Sequence, residues 1–279
     1  MSHDAEDFVA AARLHNRRAW DALVARQQRF TTPAKDQDVA DSPETVARDS
    51  WLESGVTGRR VLCLAAGGGR QSAFYAAAGA IVTVVDISPE MLALDRQVAA
   101  ERGLNIRVVE ASMDDLSALG PAEFDIVIQP VSTCYVPDVT RVYREVSRVI
   151  GQGGLYISQH KQPASMQADV RRSPRGYELR EPYYRSGPLP PVVGSPHREE
   201  GTIEFLHRWE ELVGGLCRAG FVIEDLLEPV HADPQAVPDT FADRSRYVAP
   251  YVRIKARRVG TATDGRTQVD GARRLWMPE

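Results

Sequence analysis

The sequence is poor in cysteine and has no long apolar run, and each shortage excludes a class of protein. Three cysteines occur in 279 residues, Cys63, Cys134 and Cys217, widely spaced and without a Cys-x-x-Cys pair. A disulfide framework or a zinc site is therefore poorly supported, and no metal is predicted. No apolar run approaches the roughly 20 residues of a membrane helix, and no secretory signal opens the chain. We therefore expect a cytoplasmic protein with no membrane partner.

An excess of positive charge is also lacking. The formal net charge is −4 and the pI is about 5.9, which gives no general attraction to nucleic acid, so no nucleic-acid partner is predicted. The hydrophobic fraction of 43% and the charged fraction of 26% are ordinary for a globular chain. The length suffices for one large domain, or for one domain and a cap.

The central part of the chain alternates between two kinds of segment. Short apolar runs, read as buried strands, are RRVLCL, AIVTVVD, NIRVVEA, FDIVIQP and GGLYISQH. Helices are predicted between them, one of them capped by Ser88 with Pro89 at its first position and ended by Gly103. Strands that alternate with helices predict an α/β fold, with a mostly parallel sheet and helices on both faces.

The flanking segments read differently. Residues 5–28 predict a helix, 31–43 a polar loop, and 43–52 a short helix capped by Ser42. Within 161–208, five prolines between Pro182 and Pro196 discourage regular structure, while tyrosines argue for an ordered lid. A helix at 204–219 and two strands follow. We therefore expect a helical cap at 1–57, a main domain at 58–258 that carries the lid insertion 161–208, and a flexible tail at 259–279.

The stretch VLCLAAGGG is a strand that runs into a glycine turn, which lets backbone approach a ligand closely. A dinucleotide fingerprint counted from Gly67 lacks its third glycine, because Ser72 stands there. Small residues instead alternate at Ala65, Gly67 and Gly69. Asp86 ends the second strand, where a carboxylate can accept two hydrogen bonds from a ribose diol.

The order and spacing of these motifs over residues 58–258 resemble those of class I S-adenosylmethionine-dependent methyltransferases that act on small molecules. The resemblance implies a Rossmann-like sheet of seven strands whose last strand, YVRIKARR, is antiparallel, and S-adenosylmethionine as cofactor. It also implies that Asp86 binds the ribose and Asp114 the adenine amino group, and that the Gln129 carbonyl faces the methionine end. The implied cofactor-binding set is Ala65, Gly67, Gly69, Asp86, Ile87, Met113, Asp114 and Gln129.

The sequence departs from the family pattern at two positions. The acidic residue usual in the first strand is replaced by Cys63, so the contact that it makes must come from elsewhere. The usual first glycine is Ala65, which is small enough to be tolerated.

Residues for the chemistry itself are less clearly marked. His160 ends the fifth strand and is a candidate general base, with Tyr135 as a second catalytic candidate. Tyr183, Tyr184 and Arg185 in the insertion are candidates for binding the acceptor. A packing or surface role is the alternative for each of them.

Other functions remain open at this point. An NAD(P)-dependent oxidoreductase shares the sheet, a non-catalytic S-adenosylmethionine-binding protein is allowed by Cys63, and an RNA or protein methyltransferase is disfavoured by the mild acidity. The expected partner is a small-molecule acceptor, and family association suggests secondary metabolism. The oligomeric state is not determined by the sequence, with which a homodimer is compatible.

Overall fold

A computed structural model describes residues 3–52 and 54–260. Most of the tail predicted to be flexible, residues 261–279, lies outside the described residues. Its first two residues are described: Val259 and Gly260 donate backbone hydrogen bonds to the Gly220 carbonyl, at 3.0 and 3.2 Å. No helix within the described ranges is both long and apolar enough to cross a membrane.

Seven strands form one sheet in the order β3-β2-β1-β4-β5-β7-β6. The strands are β1 (Arg60–Leu64), β2 (Ile81–Asp86), β3 (Ile106–Glu110), β4 (Phe124–Gln129), β5 (Ile150–Lys161), β6 (Phe221–Leu227) and β7 (Tyr251–Arg258). Strand β7 is antiparallel to both of its neighbours, and the pairs on the other side of the sheet are parallel. The predicted Rossmann-like sheet with an antiparallel last strand is confirmed.

The described helices are α1 (His3–Ala25), α2 (Asp36–Ala40), α3 (Ser42–Arg48), α4 (Gln71–Ala77), α5 (Pro89–Arg102), α6 (Val139–Val149), α7 (Pro163–Gln167), α8 (Gly215–Arg218) and α9 (Phe241–Arg244). The predicted ends of α5 are confirmed. Ser88 accepts a hydrogen bond from the Met91 backbone N–H at 3.1 Å, and Gly103 adopts φ 62° after the last turn, as a left-handed helix end requires.

Three local predictions were wrong. The segment predicted as a polar loop contains α2, and the residue that precedes α3 is Asp41, while the Ser42 hydroxyl donates to the Asp38 carbonyl at 2.9 Å. The helix predicted from residue 204 begins later, as a π-helical turn at Glu210–Gly214 followed by α8. Residues 204–207 have no regular secondary structure, and the Phe205 N–H donates to the distant Cys134 carbonyl at 2.7 Å rather than within a helix.

Apolar clusters cover both faces of the sheet. Tyr143 and Tyr156 belong to the cluster beneath α6, and Val84 and Leu92 to the cluster on the opposite face. The strand order reverses between β1 and β4, which pair in parallel at the centre. Ligands of such sheets bind beyond the carboxyl ends of the strands at this reversal, so the fold directs attention to the residues that follow β1, β2, β3 and β4.

Candidate functional site

A cavity of about 700 Å³ opens at this carboxyl edge. Its walls come from the ends of β1, β2, β4 and β5, from the loop after β3, from α1, and from the insertion. Six residues predicted from the sequence line it together: Ala65, Gly67, Asp86, Ile87, Met113 and Tyr135. This volume lies within the range of about 300–1,000 Å³ that is typical of small-molecule sites.

Asp86 lies beside the glycine turn, at the end of the cavity where the cofactor is expected, and is almost fully buried. We call this end the cofactor side. Its Oδ2 accepts the Gly67 N–H at 2.9 Å and its Oδ1 accepts the Ser88 N–H at 3.0 Å. Burial raises the pKa of Asp86, while these backbone donors lower it. Each carboxylate oxygen can accept more than one hydrogen bond, so both remain able to receive a ribose hydroxyl.

The glycine turn is compressed between Asp86 and α5. A Cβ on Gly67 would lie 2.7 Å from the Cβ of Met91 and 3.0 Å from the Asp86 carboxylate. A Cβ on Gly69 would lie 2.8 Å from the Leu94 carbonyl oxygen, at φ 69°. Gly69 does not line the cavity. A side chain at this position would collide with α5, so the packing of α5 is sufficient to require glycine here.

Asp114 lies next to the cavity on the side of β3 and is buried. Its Oδ1 accepts the Arg13 Nε–H at 2.9 Å and the Ser112 hydroxyl. Its Oδ2 is buried and has no hydrogen-bond partner among the described residues. An unpaired buried carboxylate oxygen is costly, and a donor such as an adenine amino group would satisfy it, so the structure fits the expected cofactor here. The role of Arg13 was not predicted from the sequence.

Gln129 is buried at the end of β4, and its side chain faces inward. It donates to the Ser132 hydroxyl at 2.9 Å and accepts the Tyr156 hydroxyl. The side chain does not line the cavity, whereas Ser132 does. The Gln129 side chain therefore shapes the turn that follows β4. Only the Gln129 backbone carbonyl remains available for the predicted contact with the methionine end of the cofactor.

The far end of the cavity carries a polar cluster that the sequence did not reveal. Tyr135 donates its hydroxyl to Glu199 at 2.6 Å, and the Lys161 ammonium lies 2.9 Å from the same carboxylate. Lys161 also pairs with Glu204. We call Tyr135, Lys161 and Glu199 the polar end of the cavity. Tyr251 lines the cavity beside them.

The protonation states at the polar end follow from these contacts. Burial raises the pKa of Glu199, but the Lys161 ammonium and the Tyr135 hydroxyl outweigh it and hold that pKa below its usual value. Burial, together with the Glu199 charge, raises the pKa of Tyr135 well above its usual value. At neutral pH the cavity therefore presents an ionised carboxylate and a protonated phenol.

His160, predicted as a candidate general base, is not among the residues that line the cavity. Its Nδ1 lies 2.8 Å from the Thr133 hydroxyl and its Nε2 lies 2.8 Å from the Ser158 hydroxyl. Burial, with a smaller effect of His207, lowers the pKa of His160 to about 3. Both ring nitrogens are occupied, so His160 ties β5 to the loop after β4.

The three predicted acceptor-binding residues also lie away from the cavity. Tyr183 accepts the Trp209 backbone N–H at 3.2 Å, and Tyr184 is 80% exposed. Arg185 pairs with Glu181 at 2.8 Å. The sequence predicted that the insertion lies over the site but not which of its residues reach it; in the structure Glu199 of the insertion lines the cavity.

The described residues do not bring metal ligands together. Within residues 3–52 and 54–260, no three His, Cys, Asp or Glu side chains lie close enough together to hold a metal ion.

Comparison with known sequences agrees with this geometry. The family model described as a methyltransferase domain matches residues 62–158. The uncharacterized methyltransferase YbaJ of Bacillus subtilis (strain 168) is 33% identical over 228 residues, which cover 77% of this chain and 89% of that protein. A ubiquinone biosynthesis O-methyltransferase of Xanthomonas euvesicatoria pv. vesicatoria (strain 85-10) is 34% identical over 61% of this chain and 66% of its own length.

Solved structures share the fold. An S-adenosylmethionine-dependent methyltransferase from Mesorhizobium loti superposes with a TM-score of 0.61 at 23% identity, over 76% of this chain and 100% of its own. A geranyl diphosphate methyltransferase, solved with its substrate and sinefungin, superposes with a TM-score of 0.54 at 17% identity, over 79% of each chain.

Proposed function

Because the chain belongs to the class I S-adenosylmethionine-dependent methyltransferases, we propose that it methylates a hydroxyl or amino group of a small molecule that binds at the polar end of the cavity. The observation that carries the proposal is that Asp86, on the cofactor side, and Glu199, at the polar end, line the same cavity. When bound, S-adenosylmethionine supplies a methyl group on a sulfonium, whose leaving group is a neutral thioether.

The chain's own residues have two tasks in such a reaction. The first is to hold the two ligands in line and keep water out. Trp20 and Asn16 of α1 line the cavity, and the Asn16 amide donates to the Tyr135 and Ile203 carbonyls, both at 2.9 Å. We propose that α1 and the insertion, joined in this way, act as cap and lid.

The second task is to receive the proton of the acceptor. Glu199 is ionised and lines the cavity, so it can accept a hydrogen bond from the O–H or N–H of a neutral acceptor, orient the acceptor's lone pair toward the methyl group and take up the proton that the acceptor releases. Lys161 and Tyr135 stay protonated and hold Glu199 in place. The relative named as a ubiquinone biosynthesis O-methyltransferase supports an oxygen acceptor; a role in secondary metabolism rests on family association alone.

Methyl-labelled S-adenosylmethionine, incubated with a cell extract split by dialysis, tests the proposal. We expect label in the small-molecule fraction with the native enzyme and much less with Glu199→Gln, although that variant still binds S-adenosylhomocysteine. Label in RNA or protein would overturn the proposal. So would label in neither fraction, which would favour a non-catalytic binding protein.

A further inference from the structure

Asp95 is a fully buried carboxylate on α5, directly behind the glycine turn. No lysine, arginine or histidine forms an ion pair with it in the described part of the chain. Burying an unpaired charge is costly unless hydrogen bonds compensate it. A carboxylate in this position therefore calls for a function.

The hydrogen bonds that Asp95 accepts all come from the glycine turn and the helix that follows it. Its Oδ2 accepts the Gly68 N–H at 2.9 Å, and its Oδ1 accepts the Ser72 hydroxyl. The Gly69 N–H also stabilises the charge. The Gly68 N–H is shared with the Met91 carbonyl, at 3.0 Å. Asp95 thus joins α5 to the turn between β1 and α4.

Cys63, on β1 just before the turn, cannot make these contacts. Its thiol is fully buried on β1, and burial raises its pKa, so it stays neutral at physiological pH. A thiol is only a weak hydrogen-bond acceptor. The negative charge of Asp95 also raises the pKa of the Cys63 thiol. The two side chains therefore lie near each other, with Asp95 on α5.

We propose that Asp95 is the positioning residue of the glycine turn and, from α5, holds the turn in shape for S-adenosylmethionine. The two faces of the turn have different roles. Ala65, Ala66 and Gly67 line the cavity, and Gly68 and Gly69 are held from behind. The inference concerns the cofactor alone and does not depend on the identity of the acceptor.

The protonation of Asp95 should control this contact. Burial raises the pKa of Asp95 to about 6, against the lowering effect of Ser72, Gly68 and Gly69, and the nearby Asp86 charge raises it further. A protonated Asp95 could still hydrogen-bond the Ser72 hydroxyl, which can also accept, but it would lose the negative charge that strengthens its hydrogen bonds from the Gly68 and Gly69 N–H groups. Cofactor affinity should therefore fall as the pH falls through about 6.

Titration calorimetry with S-adenosylhomocysteine tests the proposal on the full chain. Asp95→Asn keeps the shape but replaces the charged acceptor of the Gly68 and Gly69 N–H groups by a neutral amide, which at pH 7.5 should lower the affinity for S-adenosylhomocysteine about 10-fold. The matched control is Glu101→Gln, an exposed acid on the same helix, which should bind as the native chain does. Unchanged affinity in a folded Asp95→Asn would overturn the proposal.

A second variant decides the matter even if Asp95→Asn does not fold. Ser72→Ala removes a donor that lowers the pKa of Asp95, so the pH midpoint of S-adenosylhomocysteine affinity should move upward. Ser72 does not contact Asp86, whose own titration would leave the midpoint in place. A midpoint that Ser72→Ala does not move would show that Asp95 has only a structural role.

Discussion

At the scale of single residues, Asp86 offers the most direct test of the cofactor side. Asp86→Ala removes both carboxylate oxygens, and we expect S-adenosylhomocysteine to bind more weakly by roughly 1.5–3 kcal/mol, as for a lost charged hydrogen bond. Calorimetry on the folded variant measures this. Glu90→Ala, at an exposed position on α5, is the control. Equal affinity in Asp86→Ala and native protein would rule out the ribose assignment.

Ala65 is strained in a way that the sequence did not show. Its φ is 48°, in the left-handed region that costs a residue with a Cβ about 1–2 kcal/mol. Ala65→Gly removes this strain but adds about 0.5–1 kcal/mol of backbone entropy to the unfolded chain. We expect a net stabilisation of about 0.5–1 kcal/mol in urea unfolding.

The neighbouring alanine provides the comparison for that substitution. Ala66 does not have a positive φ, so Ala66→Gly should lower the free energy of unfolding by about 0.5–1 kcal/mol. If both glycine variants were destabilised alike, the strain at Ala65 would be absent in solution.

At the scale of elements, Arg244 of α9 fastens the first part of the insertion. It is 1% exposed and donates to the carbonyls of Asp169, Ser165 and Ala168 at 2.6–2.9 Å. Burial lowers its pKa to about 10, so it remains charged at neutral pH. The carbonyls after α7 therefore depend on one guanidinium.

Removing that guanidinium should loosen the fold. In Arg244→Met each of these three buried or partly buried carbonyls loses a hydrogen bond, and we expect a loss of about 3–5 kcal/mol in the free energy of unfolding, measured in urea. Arg246→Met, two residues along and 37% exposed, should change it by less than about 1 kcal/mol. A similar small loss in Arg244→Met would mean that water replaces the guanidinium.

At the scale of the whole molecule, cap and insertion enclose one cavity with the sheet. Part of the insertion is anchored, through Lys161–Glu199 and through Arg244, but Tyr184 and Val193 are largely exposed. A segment with few buried contacts opens locally more often than the sheet does. Ligands bound in the cavity beneath this segment should reduce its local opening.

Hydrogen exchange measures this opening. Residues 161–200 should exchange more slowly with S-adenosylhomocysteine and a methyl acceptor than without them, and β1 should change little because it is hydrogen-bonded on both sides, to β2 and to β4. Equal protection of residues 161–200 in both states would make the insertion a fixed part of the scaffold and end its role as a lid.

The sequence by itself determined the sheet, the glycine turn and the place of Asp86. These depend on local signals: apolar runs of strand length, glycine after a strand, and a carboxylate at a strand end. Parallel strands bring such ends to one edge whatever the details of packing. The seven strands and the capped start of α5 at Ser88 were predictable for this reason.

Only the tertiary structure decided which side chains meet at the site. Glu199 reaches Lys161 across 38 residues, Arg13 reaches Asp114 across 101, and Asp95 reaches Gly68 from the next helix but one. His160 stands at the predicted strand end and yet turns inward to two hydroxyls. A residue's type and position along the chain set what it can do, but the direction of its side chain is fixed by partners distant in sequence, on which local patterns carry no information.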